Sequence, residues 1–469
     1  MKNTRDVRLR RTQSVTKMEE MAEREKKQRE NQPDQPCHSP QDSLLSSSSG
    51  YTNYRGLLNL CIILLVLSNT RVALENIIKY GILVDPVSWV TVFMEKPTSS
   101  PSVLILLGLN LYIILSFLIE IITLKGIIPE KICLTLVTFN LVAVVVGPPI
   151  VVYNLDCHPV SASVVLGLNS IVFMKLVSYH MVNFWCREQK SHATNRTRRR
   201  GSFKRERPLD LPNGDSKHYH QVSYPDNLTF RDIYYFMLAP TLCYELNFPR
   251  SARIRKRFLA KRILEMLFLV QLILGLVQQW IIPTINNSRK PLKEMNYSRM
   301  LERLLKLSVP NHLIWLIFFY WYFHSCLNAV AEILRFADRQ FYRDWWNAET
   351  VHYFWQNWNI PVHRWCVRHV YKPLVRKGLT KDRAKMIVFM VSAFFHEYLV
   401  SVPLKMFRVW AFTGMVGQVP FAMFVSRYLH NQYGNIAVWI SLIIGQPLCI
   451  LMYYHDYYII HYGTLDATS

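Results

Sequence analysis

MIVFMVSAFFHEYLVSVP, residues 386–403, is apolar enough to enter a bilayer, yet it carries His396 and Glu397 side by side near its middle. At about 1.5 Å of rise per residue, His396 lies roughly 15 Å beyond the basic segment that ends at Lys385. That is close to half of a hydrocarbon core about 30 Å thick. Ionisable groups at such depth are costly, so they face a cavity or a bundle interior and mark functional sites. The plain alternative is a histidine that only hydrogen-bonds a neighbouring helix. The depth favours function, and much of the remaining chain reads as equipment for supplying this imidazole.

The chain has 469 residues, 51% of them hydrophobic, with a mean hydropathy of +0.08. A soluble chain of this length would divide into domains. Here the apolar residues come in long blocks, which predict a single all-α polytopic membrane domain with polar ends and loops. Nine spans are expected, near 57–80, 101–123, 132–152, 162–183, 263–282, 309–331, 386–403, 409–425 and 435–454. The first contains Arg71 and Glu75, and the eighth is short and bears glycines. Such flaws suit helices packed around an intramembrane reaction chamber better than helices bathed in lipid.

Net charge is +23. Because the Lys and Arg lie in loops beside apolar spans, topology and anionic lipid explain it more simply than nucleic acid does. An acidic substrate such as a coenzyme A ester also suits it. Residues 187–262 hold 18 Lys and Arg against 7 Asp and Glu, whereas 84–100 and 153–161 are nearly free of positive charge. By the positive-inside rule the amino terminus and the 187–262 and 332–385 segments are cytosolic, and nine spans then leave the carboxyl terminus lumenal. The 283–308 loop, with acceptor sequons at Asn286 and Asn296, falls on the lumenal side. The nine cysteines form no CxxC or pairing pattern, so neither a disulfide scaffold nor a zinc site is implied.

Residues 1–50 are polar, end in a serine-rich run and predict a disordered cytosolic front, with a short charged helix over 17–30 and no cleaved signal peptide. The basic 187–222 loop is expected to be flexible, and residues 463–469 form a short tail. The aromatic, proline-rich stretch 223–250 reads as an interfacial segment.

A second informative stretch is DRQFYRDWWNAETVHYFWQNWNIPVHRWCVRHVYKPLVR, residues 338–376. Trp345, Trp346, Trp355, Trp358 and Trp365 are interleaved with Arg343, Lys372, Arg376, His352, His363 and His369. Aromatic rings can line an acyl or adenine slot, and cations can hold phosphates. The plainer reading is an aromatic belt with a basic flank. Among the amides, Asn359 is a candidate oxyanion donor. Gln418 and Gln446, in the eighth and ninth spans, are polar groups that either belong to the site or join helices.

FYRDWWN at 341–347, WQNWNIPVHRW at 355–365 and SAFFHEYLVSVP at 392–403 resemble signatures of the membrane-bound O-acyltransferases, in the branch that acylates sterols and diacylglycerol. SYPDNLTFRD at 223–232, APTLCYELNFPR at 239–250, RILEMLF at 262–268 and LENIIKYGILVDP at 74–86 extend the resemblance over about Tyr51 to Tyr462 and draw it toward the diacylglycerol side. The resemblance implies a membrane-bound O-acyltransferase domain over 51–462. It implies transfer of an acyl group from fatty acyl-coenzyme A, as substrate and not as cofactor, to 1,2-diacylglycerol, which makes triacylglycerol. It also implies His396 as catalytic base, Asn359 and Glu397 in the site, and acyl-CoA contacts from Tyr342, Asp344, Trp345, Trp346 and Asn347. Trp355, Gln356 and Trp358 of the second motif, with Gln418 and Gln446, complete the expected substrate-binding set. Asp344, beside a polyanion, is expected to make a structural hydrogen bond or ion pair. Adjacent helical residues diverge by about 100°, so Glu397 is expected to meet the acceptor and not to pair with His396. An endoplasmic reticulum location and a homodimer or homotetramer follow from the same resemblance. Neither a metal nor a nucleic-acid partner is implied.

Within this chemistry the acceptor alternatives are a sterol, retinol or a long-chain alcohol. Outside it, a lipid transporter would also be polytopic, but it should show inverted repeats or paired broken helices, and the sequence shows neither.

Overall fold

The computed structural model describes residues 41–44, 53–67, 77–85, 101–155, 157–199, 221–288 and 297–462. The expected 17–30 helix, most of the amino-terminal front, the tail 463–469 and the Asn296 sequon lie outside them. Twelve principal helices are described: α1 (Arg55–Leu67), α2 (Pro101–Leu124), α3 (Glu130–Asn154), α4 (Pro159–Arg199), α5 (Phe230–Leu238), α6 (Lys256–Leu276), α7 (Tyr297–Phe319), α8 (Val351–Asn357), α9 (Ile360–Trp365), α10 (Lys381–Ser401), α11 (Trp410–Tyr428) and α12 (Gln432–Tyr462). α6 runs on through a π-helical turn to Asn286, and α7 through another to Ile333. Pairing among the described residues is limited to isolated β-bridges.

Seven of these helical stretches are long and apolar enough to cross a membrane: Ser102–Leu124, Glu130–Asn154, Pro159–His192, Lys256–Asn286, Ser298–Ile333, Lys381–Ser401 and Gln432–Tyr457. They coincide with seven of the nine expected spans. The eighth, α11, is a helix of 19 residues whose apolarity is broken by Gly414, Gly417, Gln418 and Pro420. The first begins as α1 and passes into residues that lie outside the description. α4 is longer than expected, because helix continues to Arg199 through a stretch read as the start of a flexible loop.

Apolar side chains point both ways, as they must where the solvent is hydrocarbon. Leu104, Leu107 and Leu111 on α2 recur at helical spacing and are exposed, which makes a lipid-facing stripe. The opposite faces of α2, α3 and α4 pack against one another, α10 packs on α4 and α11, and α7 packs on α12. Pro403 cannot continue α10, so the chain turns there before α11 begins.

The largest core cluster draws the two ends of the chain to one place. The turn of FYRDWWN, residues 345–347, lies against α1, and α12 closes over both. Asn435 of α12 donates to the carbonyls of Trp346 and Ala348 at 3.0 and 2.9 Å and accepts from Asn59 at 2.9 Å. Trp439 donates to the Gly56 carbonyl at 3.1 Å. A Cβ on Gly56 would lie 1.6 Å from the backbone oxygen of Trp346, so no side chain fits there. Gly56→Ala is therefore expected to push α1 off the hub at a cost of about 3 kcal/mol, at the upper end for overpacking. A thermal melt of the detergent-solubilised protein checks this.

The 223–250 segment forms a short helix, α5, whose following residues are buried. Lys175 of α4 holds its end by donating to the carbonyls of Phe236, Met237 and Ala239 at 2.8, 2.8 and 2.7 Å. A cation is well placed at those orphan carbonyls. At the other end Thr229 caps the Asp232 amide at 3.2 Å, and the Asp232 carboxyl accepts from the Tyr244 hydroxyl. Burial raises the Asp232 carboxyl to about 6, against the smaller lowering effects of Tyr244 and Arg250. A carboxyl held above its unfolded value favours the fold below that unfolded value, near 4, and the contribution is lost as pH rises through about 6. Asp232→Asn is expected to raise the melting temperature at pH 7 and to flatten its fall between about pH 4 and 7.

Candidate active site

His396 sits on α10 with its ring exposed, while the neighbouring Glu397 is 9% exposed and faces another way. His396 Nδ1 lies 2.8 Å from the Ser392 carbonyl one turn back. A carbonyl only accepts, so Nδ1 carries hydrogen, and in neutral imidazole the basic lone pair belongs to Nε2. Trp355 of α8 meets the His396 ring edge to face at 6.4 Å. The Trp355 indole Nε1 donates to Gln418 Oε1 on α11 at 2.8 Å. Trp358 continues the aromatic wall, 5.9 Å from Trp355. α8, α10 and α11 thus bring His396, Trp355, Gln418 and Trp358 of the expected set together.

The other amides are placed separately. Asn359 caps α9, its Oδ1 accepting from the Val362 amide at 3.3 Å, and among the described residues no hydrogen bond joins it to His396. Gln446 Oε1 accepts from Asn311 of α7 at 3.4 Å. In Asn359, Gln418 and Gln446 alike, the oxygen is turned to a protein donor, which leaves the NH2 end to donate elsewhere. Gln356 is hydrogen-bonded to His352 at 2.7 Å.

The aromatic side chains of FYRDWWN are buried in the hub and do not line a surface, whereas Arg343 is exposed. Tyr342, Trp345 and Trp346 are at most 2% exposed. Tyr342 is hydrogen-bonded to His324 of the α7 extension at 2.8 Å. Asp344 accepts from the Tyr353 hydroxyl at 2.8 Å, a structural bond of the kind expected for it. Asn347 donates to the Asn53 carbonyl at 2.9 Å and accepts from the Gly56 amide, pinning the start of α1.

Around this hub the surface is cationic. Burial, then the charge of Lys385, holds His352 below the usual imidazole range. Burial, with His352, Arg343 and Arg364, does the same for His363. Both imidazoles are thus held toward the neutral form, and the positive charge here is that of Arg343 and Lys385, which suits a polyphosphate.

Glu397 stands apart from His396. Its carboxylate accepts from Ser401 of its own helix, from the backbone amides of Val409 and Phe412 at 3.0 Å each, and from the Tyr453 hydroxyl at 2.7 Å to both oxygens. Those partners belong to α10, the start of α11 and α12.

His324 and Tyr453 did not figure among the sequence candidates. His324, like His396, is a titratable group inside an apolar block and stands out on the same ground. A tyrosine near a helix end carries no such signal.

Residues 159–455 match the model of the membrane-bound O-acyltransferase family. The chain is 56% identical over 434 residues to diacylglycerol O-acyltransferase 1 of Homo sapiens, covering 92% of this chain and 86% of that protein. It is 56% identical over 426 residues to diacylglycerol O-acyltransferase 1 of Bos taurus, covering 91% and 85%. It is 38% identical over 433 residues to diacylglycerol O-acyltransferase 1B of Glycine max, covering 90% and 82%. The chain is a member of the membrane-bound O-acyltransferase family, a multi-pass membrane protein.

Proposed function

We propose that this protein transfers a fatty acyl group from acyl-coenzyme A to 1,2-diacylglycerol, forming triacylglycerol, with His396 as general base. The carrying observation is the accessible His396 imidazole, its Nδ1 fixed by Ser392 and its ring met by Trp355, which Gln418 holds through the indole N–H. The names of the relatives support the acceptor class.

An alcohol is a weak nucleophile, so a base must take its proton as it attacks the thioester carbonyl. His396 Nε2 takes that proton. The new C–O bond makes a tetrahedral oxyanion, whose collapse breaks the C–S bond and releases coenzyme A, the imidazolium returning its proton to the thiolate. The donor ends of Asn359, Gln418 and Gln446 are the candidates for stabilising the oxyanion. The positive charge of Arg343 and Lys385 receives the phosphates of coenzyme A, with His352 and His363 beside it as neutral hydrogen-bonding groups, and the pantetheine reaches inward to His396. The acyl chain and diacylglycerol enter laterally from the bilayer, while coenzyme A stays on the cytosolic face.

The same reading places the protein in the endoplasmic reticulum membrane, with a cytosolic amino terminus, a lumenal carboxyl terminus and a homodimeric or homotetrameric assembly. Purified protein given labelled oleoyl-CoA with diacylglycerol and cholesterol side by side tests the activity. Labelled triacylglycerol is expected, and labelled sterol ester alone, or no product, overturns the reading.

A further inference from the structure

Val409, at the start of α11, has φ of +53° and ψ of 21°. A β-branched residue in the left-handed region is a genuine outlier, and it persists only where the surroundings over-determine it. Here the surroundings are Glu397. Its Oε1 accepts from the Val409 amide and its Oε2 from the Phe412 amide, both at 3.0 Å. These are amides at the N-terminus of α11, where a carboxylate also meets the helix dipole. Tyr453 of α12 donates to both oxygens at 2.7 Å and accepts from the Ala411 amide at 3.1 Å. Ser401 of α10 supplies a further donor. With Glu397 buried, five donor contacts fall on its two oxygens, and the carboxylate's acceptor capacity of about four lone pairs is filled.

α11 carries Gln418, the residue that fixes Trp355 against the His396 ring. From this arrangement we infer that Glu397 is a positioning residue, neither a proton carrier nor a contact for the acceptor lipid. It is a clasp that holds the strained turn at Val409 and so sets α11, and with it Gln418 and Trp355, against His396. The inference rests on the acyltransferase reading, because turnover is its readout.

Val409→Gly separates the roles. Glycine adopts the left-handed region without steric cost, so it removes the strain that the clasp must hold. Glu397→Gln puts an amide NH2 where a backbone N–H expects an acceptor. Hydrogen bonds to charged groups contribute enough that its kcat should fall about tenfold or more. Its KM for oleoyl-CoA should be unchanged, since the lesion lies at the far end of α11. Adding Val409→Gly to Glu397→Gln should recover several-fold of the lost kcat. Tyr453→Phe, which leaves Glu397 in place and removes a donor from the clasp, should lower kcat in the same way and be rescued in the same way. If Glu397→Gln does not fold, the Tyr453→Phe pair alone decides the matter.

Absence of rescue in a folded double variant, or a loss confined to the KM for diacylglycerol, overturns the inference. Inactivity of the unsubstituted protein would overturn the acyltransferase reading instead.

Discussion

His396→Ala is expected to lower acyl transfer by about 10²–10⁴-fold, the range general bases supply, while acyl-CoA binding survives. Two features make the outcome separable from unfolding. The ring is exposed, so its removal leaves no cavity sealed inside a packed core. Its hydrogen bond goes to the Ser392 carbonyl within its own helix, a group that already has a place in the helical ladder. Retained binding of labelled oleoyl-CoA beside lost turnover supports the base. Turnover within about threefold of the unsubstituted protein would remove His396 from the mechanism. His396→Gln sharpens the test, because glutamine keeps a polar side chain but cannot take a proton near neutral pH. It should be as inactive as alanine, whereas a residue that only hydrogen-bonds the acceptor would be partly replaced by it.

The span pattern was legible because lipid imposes it, and seven of nine expected spans are helices of membrane-crossing length and apolarity. α11 shows the limit. Its glycines, Gln418 and Pro420 lower its apolarity because it packs between α10 and α12, so protein contacts replace lipid on its faces. His396 was legible for the converse reason, since a titratable residue in an apolar block stands out against its neighbours. What could not be read was the partner of each side chain. The sequence puts Glu397 beside His396, but only the fold shows its carboxylate turned to Val409, Phe412 and Tyr453. Likewise the aromatic run 341–358 mixes rings of two kinds. Trp345 and Trp346 enter the core, while Trp355 and Trp358 remain half-buried, Trp355 against His396 and Trp358 against Trp355. Composition treats all four alike, because which rings turn inward depends on α1 and α12, which are distant in the chain on either side.

Trp345→Ala is expected to cost about 3–5 kcal/mol of stability, the range for deleting a large buried ring, and to act on folding before it acts on substrate. Trp345 is 2% exposed and lies among five aromatic neighbours. Trp315 and Phe319 come from α7 at 5.4 and 4.9 Å, and Phe354 from α8 at 5.9 Å. Trp439 comes from α12 at 5.5 Å, and Trp346 stands beside it at 5.7 Å. Removing this ring opens a void where three helices and the FYRDWWN turn meet, and the rigid hub around Gly56 gives the walls little freedom to collapse into it. The motif can then serve acyl-CoA chiefly by holding α7, α8 and α12 at fixed spacing, with Trp355 and Trp358 presented by the outer face of the same cluster. A lower melting temperature and a reduced yield of folded protein, with the KM for oleoyl-CoA of the surviving fraction nearly unchanged, is the expected result. A normal melt with a KM raised tenfold would mean instead that the Trp345 ring touches the ligand, and the hub would have to open for acyl-CoA to enter.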